Sequence, residues 1–357
     1  MKIRKIWLLV LVFSLFIFSG CRAKEDKVKE RVITDMLGRE VEVGKEIEDI
    51  IAVGPGALRL VTHLEAGDKV VGVEEGEYEE ETARAYNLAK PSYRELPIIG
   101  PDHGGDAELM AAKEPDLIVF SGDRQRADNL STQLGVPVLG IDYVDLGPER
   151  NKLYQAWELL GEILAKENRA EKLIVRTEKI IADLKAYGQR TTDLEKRVYV
   201  GGISYRGGQS LEGTKIPFPP LEFLDYKGTI LEPEDRSRVK SLTLNREEIV
   251  NWDPEIIFID QANLDLVKED INRRREYRLL SAIEEGEVYG LLPYASYHRN
   301  IAVILANSYY LGQVLYPSQF ADLEVKDKAG EIFDFYLGKD VYPKLAKNYY
   351  GFCSIDI

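Results

Sequence analysis

The sequence predicts an α/β fold of two lobes, each with a parallel-rich central sheet, joined by one long α-helix, with a ligand cleft between the lobes. Two stretches of the 357 residues alternate short apolar runs with segments of helical length, which is typical of parallel sheets covered on both faces. A stretch with helical periodicity alone separates them. One short motif, Glu-x6-Pro-acid followed by apolar residues, occurs once in each stretch, at 108–120 and at 247–259. The chain length also favours two domains, since one domain has about 100–200 residues.

The first 20 residues have the composition of an export signal. Three basic residues precede fourteen uncharged ones at 6–19, a run that is too short to span a bilayer as a helix. The small residues before Cys21 resemble the lipobox at which prokaryotic lipoproteins are cleaved and lipidated. We therefore expect residues 1–20 to be removed, lipidated Cys21 to anchor the protein to the membrane at the cell surface or in the periplasm, and the charged residues 21–31 to form a tether. An uncleaved anchor, or secretion with an incidental cysteine, is the alternative.

The charge and the cysteine content narrow the function further. The formal net charge is −14, and it becomes −17 once the three basic residues of the signal are removed. An acidic surface of this kind repels nucleic acid and anionic lipid heads, so neither is an expected partner. The second cysteine, Cys353, has no partner for an intramolecular disulfide if Cys21 carries lipid, and we expect it to be an inert thiol.

Residues 32–165 are expected to form the first lobe. Apolar and polar residues alternate on both sides of Leu37-Gly38, which predicts a β-hairpin. Short apolar runs predict the strands of one sheet at 50–53, 69–73, 96–99, 117–120 and 136–141. Between them lie segments of helical length at 57–65, 79–88, 107–113 and 124–134.

Residues 148–187 show helical periodicity without any strand pattern. Two apolar stripes predict two helices, and the second, at 166–188, would be roughly 30 Å long and join the lobes. One continuous linking helix resists a wide hinge, so we expect limited lobe closure. The second lobe is then expected at 189–357. Its patterns predict strands at 197–203, 239–244, 255–259 and 286–292, and helices at 245–252, 300–315 and 329–337.

Several segments, in their order along the chain, carry a family resemblance. They are the hairpin TDMLGREVEV, IIAVGPGALRL, LPIIGPDHGGDAELMAAKEPDLIVF, the linking helix, LTLNREEIVNWDPEIIFID and NIAVILANSYYLGQVLYP. With the lipobox, they resemble the substrate-binding lipoproteins of iron-siderophore, haem and cobalamin ABC importers, which are class III periplasmic binding proteins. The resemblance implies a membrane-anchored binding protein, not an enzyme. It would work as a monomer without a cofactor and deliver a metal complex, such as a ferric siderophore or a corrinoid, to an importer permease.

The resemblance also implies how the permease is recognised. In that family basic residues of the permease bind one acid on each lobe, and by motif position these acids are Glu108 and Glu247. Two exposed carboxylates held apart by a rigid helix can pair with two arginines of a symmetric transporter. The alternative is that both acids are favoured only by the positive end of a helix dipole.

Loops that follow the predicted strands are the candidates for ligand binding, because ligands of open α/β sheets bind outside the carboxyl ends of the strands. Aromatic and cationic side chains are concentrated in these loops, in contrast to the acidic chain as a whole. This favours an anionic or ring-rich ligand, held by arginine and by stacking. The candidate cleft residues are Arg59, His103, Tyr205, Arg206, Gln209, Tyr294, Tyr297, His298 and Arg299.

Other functions stay open to different degrees. A bare oxyanion such as molybdate or tungstate is an alternative ligand. A free metal ion is disfavoured, because three histidines without a cysteine pair make a poor set of nitrogen and sulfur ligands. A surface hydrolase is disfavoured because the sequence lacks the common nucleophile, zinc and phosphate-binding motifs. Glu108 and Glu247 would also lie further apart, in separate lobes, than the roughly 10 Å that a glycosidase pair allows.

Overall fold

The computed structural model describes residues 31–80, 82–189, 196–204, 207–226, 228–230 and 240–357. The predicted signal, the lipidation site Cys21 and the tether up to residue 30 lie outside the described residues. No helix within the described ranges is long and apolar enough to cross a membrane. The predicted fold class is confirmed, since two separate parallel-rich sheets are surrounded by helices.

A hairpin and a parallel sheet form the first half of the structure, residues 31–163. The hairpin pairs β1 (Arg31–Thr34) with β2 (Glu40–Val43), as predicted. The strands of the sheet are β3 (Ile50–Val53), β4 (Val70–Gly72), β5 (Leu117–Ser121) and β6 (Val138–Ile141). Their order is β4-β3-β5-β6, and all neighbours run parallel. The carboxyl ends of all four strands therefore lie at one edge of the sheet.

The helices of this half are α1 (Ala57–His63), α2 (Ala85–Ala89), α3 (Ala107–Ala111) and α4 (Arg124–Leu134). The last of them has the predicted bounds. Its first turn is capped by the Asp123 side chain, which accepts a hydrogen bond from Arg126 N, and it ends at Gly135 with φ 64°. Such caps are visible in the sequence, which is why these bounds could be predicted.

Two predictions in this half are wrong. Residues 96–99 form no strand and only a single bridge next to β4, since Pro97 has no N–H for a ladder. Of the helix predicted at 79–88 only the short α2 is present, and a 3-10 turn at Glu75–Tyr78 precedes the predicted segment. The Glu77 side chain of that turn is buried and accepts hydrogen bonds from three polar side chains at 84–87. These contacts connect the turn to the beginning of α2.

Two helices follow the first sheet, α5 (Asn151–Ile163) and α6 (Glu167–Gly188). The second occupies the place of the predicted linking helix. It buries a stripe that includes Leu173, Ile180 and Leu184. Its last residue, Gly188, lies so close to the second half that an added Cβ would be 1.7 Å from the carbonyl oxygen of Leu224.

The second half, residues 196–357, contains the second sheet. Its strands are β7 (Arg197–Gly201), β9 (Thr229–Ile230), β11 (Ile256–Asp260), β12 (Val288–Leu291) and β13 (Cys353–Ser354). The order is β13-β12-β11-β7-β9, parallel except for β13. A separate antiparallel ribbon pairs β8 (Gly213–Ile216) with β10 (Lys240–Thr243). The strand predicted at 239–244 therefore lies outside the central sheet.

The helices of the second half are α7 (Pro219–Phe223), α8 (Arg246–Trp252), α9 (Leu264–Arg273), α10 (Ser281–Glu284), α11 (Ile301–Leu315), α12 (Val325–Leu337) and α13 (Tyr342–Tyr349). Helix α9 is absent from the predicted elements, although its buried Leu264, Val267 and Ile271 have helical spacing. The largest apolar core runs without interruption from the first sheet through α1 and α5 to α11 and α12. Because the two halves share this core, their relative motion is restricted.

The repeated motif builds the same local structure in both halves. Each glutamate is the second residue of its helix, and its backbone N–H donates to the side chain of the residue before the helix. The distances are 2.9 Å from Glu108 N to Asp106 and 3.0 Å from Glu247 N to Asn245. The motif therefore places each glutamate in the first turn of a capped helix.

The acid after each proline also has the same role twice. Asp116 accepts hydrogen bonds from two backbone N–H groups just before β3, at 2.8 and 2.9 Å. Glu255 accepts one from Arg197 N at the start of β7, at 2.9 Å. In both sheets this acid connects the beginning of one strand to its neighbour. The residues before the prolines, Glu114 and Asp253, have φ angles of 49° and 50°, so the turn has the same geometry as well.

Candidate functional site

Polar contacts between the two halves converge on one loop, residues 293–300, which follows β12. The loop folds back on itself: Ser296 N donates to the carbonyl oxygen of His298 at 2.9 Å, and Ala295 bridges to Arg299. It meets two loops from the carboxyl edge of the first sheet, at 54–59 and 100–106. The structure therefore brings together three of the loops that the sequence analysis selected.

Arg59 connects α1 to the loop at 293–300. Its guanidinium donates from Nη2 to the carbonyl oxygen of Ser296 at 2.7 Å and to Asn300 Oδ1 at 3.1 Å. Nη1 donates to the Tyr143 hydroxyl at 3.3 Å, and the Tyr86 ring centroid is 5.0 Å away. The side chain is buried, and both of its terminal nitrogens donate to protein atoms. Arg59 thus fixes the position of the loop at 293–300 through its contacts with Ser296 and Asn300.

Tyr297 makes a second contact with the first half. Its hydroxyl donates to Glu74 Oε2 at 2.8 Å and accepts from His103 N at 2.7 Å. The Arg84 guanidinium lies 4.2 Å from the centroid of its ring, and the His103 ring centroid is 5.0 Å away. One side chain therefore bonds to two separate loops of the first half.

The buried carboxylate of Glu74 accepts hydrogen bonds from three donors. Besides Tyr297, it accepts from Gly54 N at 3.1 Å and Gly104 N at 3.0 Å. Burial raises its pKa to about 7, although these hydrogen bonds act in the opposite direction. The carboxylate fixes the positions of the loops at 54–59 and 100–106.

A buried ion pair is the third contact between the halves. Lys215 Nζ, on β8, lies 2.9 Å from Asp145 Oδ2, which follows β6 in the first half. Asp145 also accepts from the Tyr294 hydroxyl at 2.6 Å and from Gly147 N at 2.9 Å. Burial tends to raise the pKa of Asp145, but the Lys215 charge and these hydrogen bonds outweigh it and hold the pKa below its usual value. Burial lowers the pKa of Lys215, while the charge of Asp145 acts in the opposite direction.

Arg299 and His298 differ from these groups, because polar atoms of both have no hydrogen-bond partner among the residues that the structure describes. Arg299 is partly exposed, packs 5.6 Å from the Tyr294 ring centroid, and forms no ion pair with any carboxylate of the described ranges. The His298 ring lies 4.3 Å from that of Tyr143, and its buried Nδ1 has no hydrogen-bond partner. Burial, together with the charges of Arg59 and Arg299, lowers the pKa of His298 to about 3. Of the two, the partly exposed Arg299 is accessible to a ligand, whereas His298 Nδ1 is buried beside it.

The other predicted cleft residues have different positions. Gln209 lies near the ribbon of the second half, where its Oε1 accepts from Thr243 Oγ1 at 3.4 Å. Tyr205 and Arg206 lie outside the described residues. Tyr294 is buried with its hydroxyl on Asp145, so its polar atom is occupied. The described residues contain no group of three or more histidine, cysteine or acidic side chains arranged to hold a metal ion.

Sequence reasoning missed several polar residues of this site. They are Glu74, Tyr143, Asp145, Lys215 and Asn300. For Glu74 a signal existed, because it directly follows the strand predicted at 69–73. The ion pair gave no local signal, since its partners come from different halves of the chain.

The two acids of the repeated motif lie on the surface. Glu108 and Glu247 are both exposed, each in the first turn of its helix. Their environments differ in one respect: the residue after Glu108 is an exposed leucine, whereas the residue after Glu247 is Glu248, which accepts a hydrogen bond from Asn245 N at 2.9 Å. Both carboxylates are accessible to a partner.

The chain is similar in sequence and in fold to known binding proteins. Residues 50–295 match the profile of the periplasmic binding protein family. The molybdate-binding protein MolA of Haemophilus influenzae is 21% identical over 93% of this chain and 96% of its own length. A solved structure of MolA bound to molybdate is similar with a TM-score of 0.67 at 18% identity, covering 87% of this chain and 98% of that chain. The catecholate-siderophore binding protein VctP of Vibrio cholerae is similar with a TM-score of 0.55 at 17% identity, covering 81% and 100%.

Proposed function

We propose that this chain, which belongs to the periplasmic binding protein family and is the substrate-binding component of an ABC transporter, takes up a small oxyanion in a cleft between two lobes. The lobes correspond to the two halves around the two sheets, linked by α6. The ligand would lie beside the loop at 293–300, where both halves meet. The protein would then deliver it to an importer permease.

Arg299 is the observation that carries the choice of an oxyanion. In an acidic protein, this partly exposed guanidinium has no carboxylate partner in the described ranges, and a guanidinium fork matches the oxygens of an oxyanion. The neutral His298 beside it offers a further polar atom without a partner. The molybdate-binding relative is in line with this ligand class.

Calorimetric titration with sodium molybdate, tungstate and sulfate tests the proposal. A charged hydrogen bond contributes about 1.5–3 kcal/mol, so Arg299→Ala should weaken binding of the preferred anion by roughly 10- to 100-fold. The matched control is Arg278→Ala, since Arg278 is exposed on the 3-10 turn Tyr277–Leu279. Equal affinities of both variants would contradict a role for Arg299, and absence of binding to all three anions would contradict the ligand class.

A metal complex, such as a ferric siderophore, another iron complex or a corrinoid, is the second candidate. The tyrosine rings around the loop favour it, and a similar solved structure is that of a catecholate-siderophore binding protein. It ranks second because the hydroxyls of Tyr294 and Tyr297 are already bonded to protein atoms. An absorption spectrum and metal analysis of protein purified from its source would separate the two, because a charge-transfer, Soret or corrin band requires a bound complex.

Permease docking would use Glu108 and Glu247. Their equivalent positions in the two halves and their exposure support the idea that two arginine groups of a permease bind them. Charge reversal at both positions should abolish uptake while ligand affinity stays unchanged. The control Glu284→Lys alters an equally exposed acid outside the motif. Loss of ligand affinity in the double variant would instead place these acids in the binding site.

Membrane anchoring through Cys21 completes the proposal. Cys21→Ser should move the protein from the membrane fraction to the soluble extracytoplasmic fraction. Cys353→Ser, at the other cysteine of the chain, is the matched control and should stay with the membrane. A Cys21→Ser protein that remains in the membrane fraction would favour an uncleaved anchor.

A further inference from the structure

Tyr297 spans the space between the two halves at the partly exposed end of their contacts. Arg59 and Tyr294, which make the other contacts of the same loop, are buried at 2% and 1% exposure, whereas Tyr297 is partly exposed and His103 is exposed. The hydroxyl of Tyr297 is held by Glu74 and by the His103 backbone at 2.8 and 2.7 Å. A rigid aromatic side chain therefore sets the separation of the loops at 100–106 and 293–300.

The backbone is strained at both ends of this contact. Nine non-glycine residues of the described chain have φ in the left-handed region, and three of them are His103 at 71°, Tyr297 at 49° and His298 at 106°. Such residues are uncommon and persist only where surrounding contacts hold them. Two successive left-handed residues turn the Tyr297 side chain towards the first half. Strain of this kind is concentrated at sites that position ligands.

Ring contacts limit what fits beside this side chain. The ring centroids of Tyr297 and His103 are 5.0 Å apart, and those of His298 and Tyr143 are 4.3 Å apart. A planar ligand inserted between two rings would need roughly 7 Å, which is two contact distances of about 3.5 Å. A planar macrocycle or chelate therefore cannot enter between either pair of rings without moving them, whereas an anion bound by Arg299 need not separate them.

We infer that Tyr297 is a specificity-determining residue that acts as a strut between the lobes, selecting a small oxyanion over a bulky metal complex, with Glu74 as its positioning residue. This inference rests on the proposed function, because it concerns the same cleft. Glu74 holds the strut by accepting from its hydroxyl, and it also fixes the adjoining loops through Gly54 N and Gly104 N. Loss of either side chain should widen the range of ligands that bind.

The first part of the test measures selectivity. Sodium molybdate and the ferric complex of catechol are titrated into the wild type, Tyr297→Phe, Tyr297→Ala and the control Tyr289→Phe. Tyr289 makes an equivalent bond within one half, from its hydroxyl to Glu287 Oε2 at 2.8 Å. The preference for molybdate should fall at least tenfold in Tyr297→Ala, less in Tyr297→Phe, and not at all in the control. An unchanged preference in Tyr297→Ala would overturn the inference.

The second part measures the strut without any ligand, by hydrogen exchange of the peptide that covers residues 100–106. The His103 amide donates to the Tyr297 hydroxyl, so its exchange should be at least tenfold faster in Tyr297→Phe, with no change in Tyr289→Phe. Exchange at the wild-type rate in Tyr297→Phe would overturn the strut, whatever the ligand is. If molybdate does not bind the wild type but the exchange result holds, the oxyanion proposal fails while the strut remains.

Glu74 is tested through its coupling to Tyr297. Because Glu74→Ala and Tyr297→Phe break the same bond, their effects on the preference for molybdate should be strongly non-additive. Additive effects would show that Glu74 acts independently of the strut and would remove its positioning role.

Discussion

Removal of the Lys215 ammonium by Lys215→Met is expected to destabilise the protein strongly. The side chains of Lys215 and Asp145 are only 3% and 6% exposed, and their charged atoms lie 2.9 Å apart. Breaking a buried pair by removing one partner typically costs about 3–5 kcal/mol, because the other charge stays buried without compensation. Asp145 keeps two hydrogen bonds, from the Tyr294 hydroxyl and Gly147 N. We therefore expect the free energy of unfolding to fall by about 3 kcal/mol, the lower end of this range.

Urea unfolding at pH 7.5 and at pH 5.5 is the assay. In the variant, burial raises the pKa of Asp145 without the opposing charge of Lys215, so the folded protein takes up a proton more readily than the unfolded chain. The loss of stability should therefore be smaller at pH 5.5 than at pH 7.5. The control is Lys152→Met, which removes an exposed pair with Glu149 at 3.1 Å and should change stability by less than about 0.5 kcal/mol.

Two results would refute this reasoning. One is a Lys215→Met protein as stable as Lys152→Met at pH 7.5, and the other is a loss that does not depend on pH. If Lys215→Met does not fold, the double variant with Asp145→Asn decides the question. It removes the uncompensated charge, so it should fold and regain much of the lost stability, whereas a purely steric role of Lys215 predicts no recovery.

Three further predictions follow from buried groups and close contacts. Burial lowers the pKa of His63 well below its usual value, so below about pH 6.5 the unfolded chain binds a proton that the folded protein does not. The wild type therefore loses stability as the pH falls. Between pH 7.5 and pH 5, the free energy of unfolding of His63→Phe, measured in urea, should rise by about 2 kcal/mol relative to that of the wild type. Asp116→Ala removes the acceptor of two backbone N–H groups before β3. It should lower the free energy of unfolding by about 1–2 kcal/mol in the same assay. An unchanged free energy of unfolding would contradict this role of Asp116. Gly188→Ala places a Cβ 1.7 Å from the Leu224 carbonyl oxygen, whereas Gly286→Ala, at φ 72°, meets nothing within 4 Å. The first should lower the melting temperature more, since overpacking costs typically 1–3 kcal/mol or more and a left-handed alanine about 1 kcal/mol; equal shifts would contradict the close approach.

Local signals allowed much of the fold to be predicted. The Asp123 cap and Gly135 mark the two ends of α4, and the continuous apolar runs at 117–120 and 256–259 mark buried parallel strands. Predictions failed where tertiary contacts decide. The helix predicted at 79–88 is shortened to α2, whose beginning is held by hydrogen bonds from Arg84 and Tyr86 to the buried Glu77 of the preceding turn. The ribbon of β8 and β10 pairs segments far apart in the chain, so neither segment reveals its partner.

The site could be predicted to a similar extent, for a similar reason. The rule that ligands bind at the carboxyl ends of strands selected Arg59, His103, Tyr297, His298 and Arg299, and the structure brings them together. This rule does not predict which of these side chains contact a ligand and which bond only to protein atoms. That distinction depends on partners in the other half of the chain, whose positions no local pattern gives. The assignments of the cleft and docking residues therefore stay predictions.

The acids that follow Pro115 and Pro254 have a consequence for how the protein folds. A strand that slips by one residue turns every side chain to the opposite face. Asp116 bonds to the residues just before β3 and Glu255 to the first residue of β7, which disfavours such a slip. In both cases the bond joins strands of the same sheet, so each sheet can select its register before the halves meet. Domains generally fold as units. We therefore expect the two sheets to form first during refolding, and the contacts between the two halves at the loop 293–300 to form last.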